Sequence, residues 1–88
     1  MSDTFKVLYF ASATQFTKCD EESFPAPMTL GELFGTLEMK YKGITEKVLR
    51  RSMVTVNLDY VEVDEGEGLD RVLRAGDELG VLPPVSAG

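Results

Sequence analysis

The sequence predicts an α+β domain in which one mixed sheet packs on a single main helix. Three observations carry that prediction: short β-rich runs toward both ends of the chain, one amphipathic helical segment between them, and turn chemistry where the periodicity changes. At 88 residues the chain is one domain long. A chain of this size buries only roughly 60–68% of the surface its unfolded form exposes, which supports one core and no more.

Thr4–Ala11 (TFKVLYFA) is dense in β-branched and aromatic residues and holds no turn former, so it reads as a strand. Alternation sets Phe5, Val7 and Tyr9 on one face and Lys6, Leu8 and Phe10 on the other. Both faces turn apolar toward the strand's end, as in a central strand or one whose second face meets something outside the domain. Ser12–Lys18 reads as a short helical turn with Ala13 and Phe16 inward. Asp20–Phe24 reads as a second strand, hairpin-paired with the first, and Pro25–Pro27 ends it because proline cannot donate to a ladder.

Thr29–Lys42 is the strongest helix. Thr29 and Glu32 form a T-x-x-E capping box, after which Leu30, Leu33, Phe34, Leu37 and Tyr41 recur on one stripe, and Gly43 supplies the stop. Gly31 and Gly35 weaken this helix by up to about 1 kcal/mol each relative to alanine, so it needs its sheet. Lys40–Arg51 holds five cations against Glu46 alone, leaving four cations and fourteen acids for the rest of the chain. This basic segment reads as a solvated helix end. Met53–Asn57 is a strand, Leu58–Asp59 its turn and Tyr60–Val63 a short return strand. Asp64–Gly68 is an acidic loop, Leu69–Leu73 reads as one turn of helix, and Ala75-Gly76-Asp77 is a tight turn in which Gly76 can take positive φ. Leu79–Leu82 is the last strand, ended by Pro83-Pro84. The order β-β-α-β-β-β, with the helix as crossover after the first hairpin, is the β-grasp arrangement. Its expected core is Val7, Tyr9, Leu33, Leu37, Val56, Leu79 and Val81. The domain is expected over 1–88, with a flexible tail over 83–88.

Composition narrows function by exclusion. Nine Lys and Arg against fifteen Asp and Glu leave a net charge of −6 and a pI near 4.5. Such a chain is repelled by a phosphate backbone, so no nucleic-acid partner is expected, and a basic protein partner is favoured. With no histidine and one cysteine, the sequence excludes a His/Cys metal site, an internal disulfide and a serine–histidine triad. No apolar run approaches the ~18 residues of a membrane span, and no basic-then-apolar leader opens the chain. The expected setting is cytoplasmic, with no membrane partner.

Both ends of the chain carry a resemblance. KVLYFA (Lys6–Ala11), Val56-Asn57, and the closing LRAGDELGVLPPVSAG (Leu73–Gly88) resemble the small subunit of molybdopterin synthase, the MoaD family. A GDE turn, a short apolar strand, PPV and a terminal glycine four residues past the second proline are together specific, and the similarity spans nearly the whole chain. The resemblance implies a ubiquitin-like sulfur carrier. A MoeB-like activating enzyme, consuming ATP, adenylates the carboxylate of Gly88, and a sulfur donor converts it to a thiocarboxylate. The tail then enters a MoaE-like large subunit, in a heterotetramer, and gives sulfur to cyclic pyranopterin monophosphate to build the molybdopterin dithiolene. No stably bound cofactor and no metal are implied. Phe10, Tyr60 and Leu82 correspond to hydrophobic interface positions of the family, and Pro83, Pro84, Val85, Ser86 and Ala87 to the inserted tail. Pro83-Pro84 favours an extended backbone, and Ser86, Ala87 and Gly88 are small enough for a narrow channel and close approach to bound nucleotide. The family usually ends in Gly-Gly; here Ala87 is penultimate, and Gly88 keeps the carrier position without a gap.

Other readings stand beside these. The tail by itself is an ordinary frayed terminus, and the three exposed hydrophobics by themselves are ordinary surface. Cys19, in a polar loop beside Asp20, is either a redox or sulfur-transfer thiol or an incidental one. Only Lys18 is cationic nearby in sequence, which favours the second. The acidic run Asp59–Asp70 lacks the spaced ligands and central glycine of a calcium loop. Function therefore divides among the molybdopterin sulfur carrier, another β-grasp carrier (thiamine-type or ubiquitin-related modifier), and an interaction module with an inert tail.

Overall fold

Alternation and pairing explain the sheet together. The computed structural model describes residues 3–63 and 68–84. Strand β1 (Thr4–Tyr9) pairs antiparallel with β2 (Glu21–Pro25) through the short helix α1 (Ser12–Thr17), and parallel with the last strand, β7 (Glu78–Leu82). Strand β4 (Met53–Val56) pairs antiparallel with β7 on its other side and with β5 (Asp59–Val61) at the edge, giving the order β2-β1-β7-β4-β5. Helix α2 (Leu30–Lys40) is the crossover, as the β-grasp order requires.

One sheet face is buried. Phe5, Val7 and Tyr9 of β1, Val54 and Val56 of β4, and Leu79 and Val81 of β7 meet Leu30, Leu33 and Leu37 of α2 in one core. All seven expected core residues are in it. Ala13 is buried and Phe16 packs partly against the same core. The capping box is formed: the Glu32 N–H donates to Thr29 Oγ1 at 3.1 Å, and the Thr29 N–H donates to Glu32 Oε1 at 2.8 Å.

A polar knot closes the β2 edge. Tyr9 and Tyr41 both donate their hydroxyls to Glu22 Oε1 at 2.8 Å, while Lys40 binds Glu22 Oε2. Burial raises Glu22, but the hydrogen bonds from Lys40, Tyr9 and Tyr41 outweigh it and hold the carboxyl below its ordinary value. Burial first, then the bond to Glu22, pushes both tyrosines upward.

Three expectations need correction. Leu69–Leu73 is not a helical turn. Val72–Leu73 is a strand, β6, paired antiparallel with β3 (Met28–Thr29) in a small second sheet. Leu69, Val72 and Leu73 have helical spacing, but this segment crosses the start of α2 and supplies the acceptors its first amides need. Leu30 N–H donates to Arg71 O and Gly31 N–H to Leu69 O, both at 2.8 Å.

The basic segment is likewise more than a solvated helix end. Helix α2 stops at Lys40, and Gly43, at φ +93, opens a short helix α3 (Ile44–Lys47), followed by a 3-10 turn at Leu49–Arg51. The carboxylate of Glu38 accepts from the amides of Gly43 at 2.8 Å and Thr45 at 3.0 Å, which starts α3. Ile44, Val48 and Leu49 are buried, so apolar residues between the cations fold the segment onto the core.

Finally, Pro83 was expected in the flexible tail but is buried, so the fold holds it. Within the acidic loop expected at Asp64–Gly68, residues 64–67 lie outside the described residues.

Candidate functional site

Among the described residues, no helix packs on the other face of the sheet. Register puts Leu8 beside Gly80, Gly80 beside Thr55, Thr55 beside Tyr60, and Met53 beside Leu82. These residues share one face because side chains alternate along each strand. Gly80 is the floor of this face. A Cβ there would stand 2.6 Å from Thr55 Oγ1, 3.3 Å from Leu82 Cδ1 and 3.8 Å from Phe10 Cε2. Its missing side chain leaves a trough of about 140 Å³, lined by Leu8, Phe10, Thr55, Leu58, Glu78 and Leu82 around Gly80. That is close to the size of an apolar cavity that accepts a benzene ring, roughly 150 Å³.

The turn chemistry at one end of the trough joins two distant motifs. Asn57, at φ +51, donates from its carboxamide to Asp77 Oδ1 at 3.0 Å and accepts from the Glu78 amide at 3.0 Å. Asp77 Oδ2 accepts from the Arg74 amide at 2.8 Å, across a turn where Gly76 stands at φ +88. The bond from the Arg74 amide, then the one from Asn57, lowers the Asp77 carboxyl. Polar residues cluster here: Lys6 pairs with Glu21 at 3.3 Å, and Glu78 is exposed.

At the opposite end, β7 leaves the sheet. Phe10 is 45% exposed, Tyr60 59% and Leu82 37%. Phe10 and Leu82 line the trough, and Tyr60 pairs across the strands with Thr55 on the same sheet face. Pro83 is buried and Pro84 exposed, while Val85, Ser86, Ala87 and Gly88 lie outside the described residues. The face thus runs up to the point where the tail begins.

Sequence reasoning did not assign Leu8, Met53, Thr55, Leu58 or Gly80 to this face as site residues. Leu8 was within reach, since alternation already sets it beside Phe10. Thr55 and Gly80 needed the pairing register, and Leu58 read only as a turn. Cys19 is half-buried with its Sγ 3.9 Å from the Tyr41 hydroxyl, on the β2 side and away from the trough. Among the described residues no cluster of His, Cys, Asp or Glu is placed to hold a metal, and no helix is long and apolar enough to cross a membrane. The arrangement suits binding.

A mixed sheet clasping one helix, with an open apolar face leading to a Pro-Pro exit, defines a ubiquitin-like β-grasp protein. The chain belongs to the ThiS family, whose family model matches residues 7–88. It is 48% identical, over 96% of its length and 90% of the relative's, to the molybdopterin synthase sulfur carrier subunit of Phaeosphaeria nodorum. Among solved structures it is similar to the complex of subunits 1 and 2 of molybdopterin-converting factor from Helicobacter pylori. That match has a TM-score of 0.67 and 25% identity, over 97% of this chain and 99% of that one. The small archaeal modifier protein 1 of Methanosarcina acetivorans shares the fold, with a TM-score of 0.76 and 22% identity over 100% of this chain and 99% of that one.

Proposed function

We propose that this protein is the sulfur-carrier subunit of molybdopterin synthase, with Gly88 as the carrier residue. The observation that supports it most is the apolar outer face running up to Pro83-Pro84, four residues before Gly88 in sequence. A surface that docks a partner beside an exit for a short tail is what a carrier needs. It must bind the large subunit while its terminus reaches the reacting centre. The Phaeosphaeria nodorum relative at 48% identity, a molybdopterin synthase sulfur carrier subunit, supports the same reading.

The proposed chemistry needs little from the folded domain. The Gly88 carboxylate attacks the α-phosphorus of ATP on a MoeB-like activating enzyme, releasing pyrophosphate. The acyl-adenylate carbon then accepts sulfur from a donor, and AMP leaves with the former carboxylate oxygen. A carboxylate is a poor electrophile until its oxygen becomes a good leaving group, and adenylation supplies that. In the MoaE-like large subunit the thiocarboxylate sulfur attacks a side-chain carbon of cyclic pyranopterin monophosphate, displacing an oxygen leaving group there and forming a thioester. Water then cleaves the acyl–sulfur bond, so the sulfur stays on the substrate as a thiol and this chain is released with a carboxylate. General acids and bases are supplied by the partners, in keeping with a chain that holds no histidine.

The test is intact-mass measurement after incubation with the cognate activating enzyme, ATP and a sulfur donor. The expected product is heavier by sulfur replacing one oxygen at the C-terminus. Deleting Gly88 displaces the carboxyl by roughly 3.3–3.6 Å in an extended chain, and a misplacement of about 1 Å can cost on the order of a hundredfold in rate. The truncated chain should bind the large subunit and receive no sulfur, while Ala87→Gly should be loaded normally. Sulfur on Cys19, or full loading of the truncated chain, overturns the assignment.

A further inference from the structure

Leu58 is 92% exposed, more than any other large apolar side chain among the described residues, and its backbone stands at φ +73. Both features run against folding stability. In the left-handed region a leucine brings its Cβ toward the following carbonyl oxygen, a clash glycine does not have. A two-residue reversal with positive φ at both central positions prefers Asn-Gly. Asn57 meets the first half of that preference, and Leu58 occupies the place where glycine fits best.

Nor does this leucine sit on a loose loop. The Asn57 amide donates to Glu78 O at 2.8 Å, and the Asn57 side chain holds Asp77 and the Glu78 amide. The turn is therefore tied to the start of β7, and Leu58 is held at the rim of the trough, facing the same space as Leu8, Phe10 and Leu82. A strained, fixed and exposed apolar side chain beside an apolar groove points to a contact made with something else.

We infer that Leu58 is an anchor for the large subunit of molybdopterin synthase, closing the end of the docking face farthest from the tail exit. This rests on the carrier reading above. The occupant is an apolar side chain of that subunit lying over Gly80 between Leu58 and Leu82, flanked by cationic groups. The rim sets that charge: Glu78 lines the trough, and Glu62, two residues past Tyr60 at the sheet edge, is exposed. A second copy of this chain would set the same carboxylates against each other, so the rim argues against self-association.

The experiment compares Leu58→Gly and Leu58→Asn with the wild-type chain, by calorimetry against the cognate large subunit and by thermal melting of the isolated chain. Both replacements accept positive φ. Affinity should fall about tenfold or more, the loss expected when a buried anchor side chain is removed from a complex, while the melting temperature holds or rises. Met39→Ser removes a side chain that is 88% exposed on α2, across the sheet from the trough, and should leave affinity unchanged. Tyr60→Asp, which places a charge where docking requires desolvation, should weaken binding. Wild-type affinity in both Leu58 variants, with loss in Tyr60→Asp, overturns the anchor and leaves the carrier reading standing. A melting temperature that falls along with affinity in both variants makes Leu58 structural and also overturns it. A wild-type chain that does not bind the large subunit overturns both readings.

Discussion

Asn57 and Asp77 lie 20 residues apart in sequence and are joined by a 3.0 Å hydrogen bond from carboxamide to carboxylate. Through it the Val56-Asn57 pair and the Gly76-Asp77-Glu78 turn become one structural unit. Asn57 keeps the reversal between β4 and β5, while Asp77 and the Glu78 amide align the start of β7 beside it. The carrier strand is thus set in register before it reaches the tail.

Asn57→Ala should lose two side-chain hydrogen bonds and place a Cβ residue without αL preference at φ +51. The expected destabilisation is about 1–3 kcal/mol. A double-mutant cycle with Asp77→Ala in urea denaturation should show coupling of about 0.5 kcal/mol or more. Strict additivity would show that the two residues act separately.

Leu37 is fully buried between α2 and the sheet. Leu37→Ala should destabilise by about 2–5 kcal/mol, from lost transfer energy and the cavity left behind. Small domains have about 5–15 kcal/mol in all, so the urea midpoint should drop sharply. An unchanged midpoint would mean the helix presents another face.

Acid should loosen the β2 edge. The Glu22 carboxyl is lowered in the folded chain from an ordinary value of 4.5, so between the two values the unfolded chain binds more protons. Its contribution is complete above the ordinary value and is lost as pH falls through the folded one. Urea midpoints of the wild type should therefore decline on acidification more steeply than those of Glu22→Gln, which cannot titrate. Parallel declines in the two chains would remove Glu22 from the acid response.

Much of this protein was determined by the sequence alone, and for local reasons. Thr29 with Glu32 makes a capping box whatever surrounds it, the stripe through Leu30, Leu33 and Leu37 needs an apolar surface, and alternation in β1 separates Val7 from Leu8. These are properties of neighbours along the chain, and they suffice for the order of main elements and for the core. Phe10 and Leu82 could be placed on the outer face for the same reason.

Tertiary structure decided what depends on distant partners. The helical spacing of Leu69, Val72 and Leu73 was overruled because the first amides of α2 needed acceptors, and Arg71 and Leu69 supplied their carbonyls. The basic run after Lys40 folded inward because Ile44, Val48 and Leu49 could reach the core. The trough arose only when β7 lay between β1 and β4, bringing Gly80 between Leu8 and Thr55. A glycine has no side chain to announce such a role, and a leucine at a turn does not reveal its exposure. Both became visible once strand register fixed which side chains surround the gap.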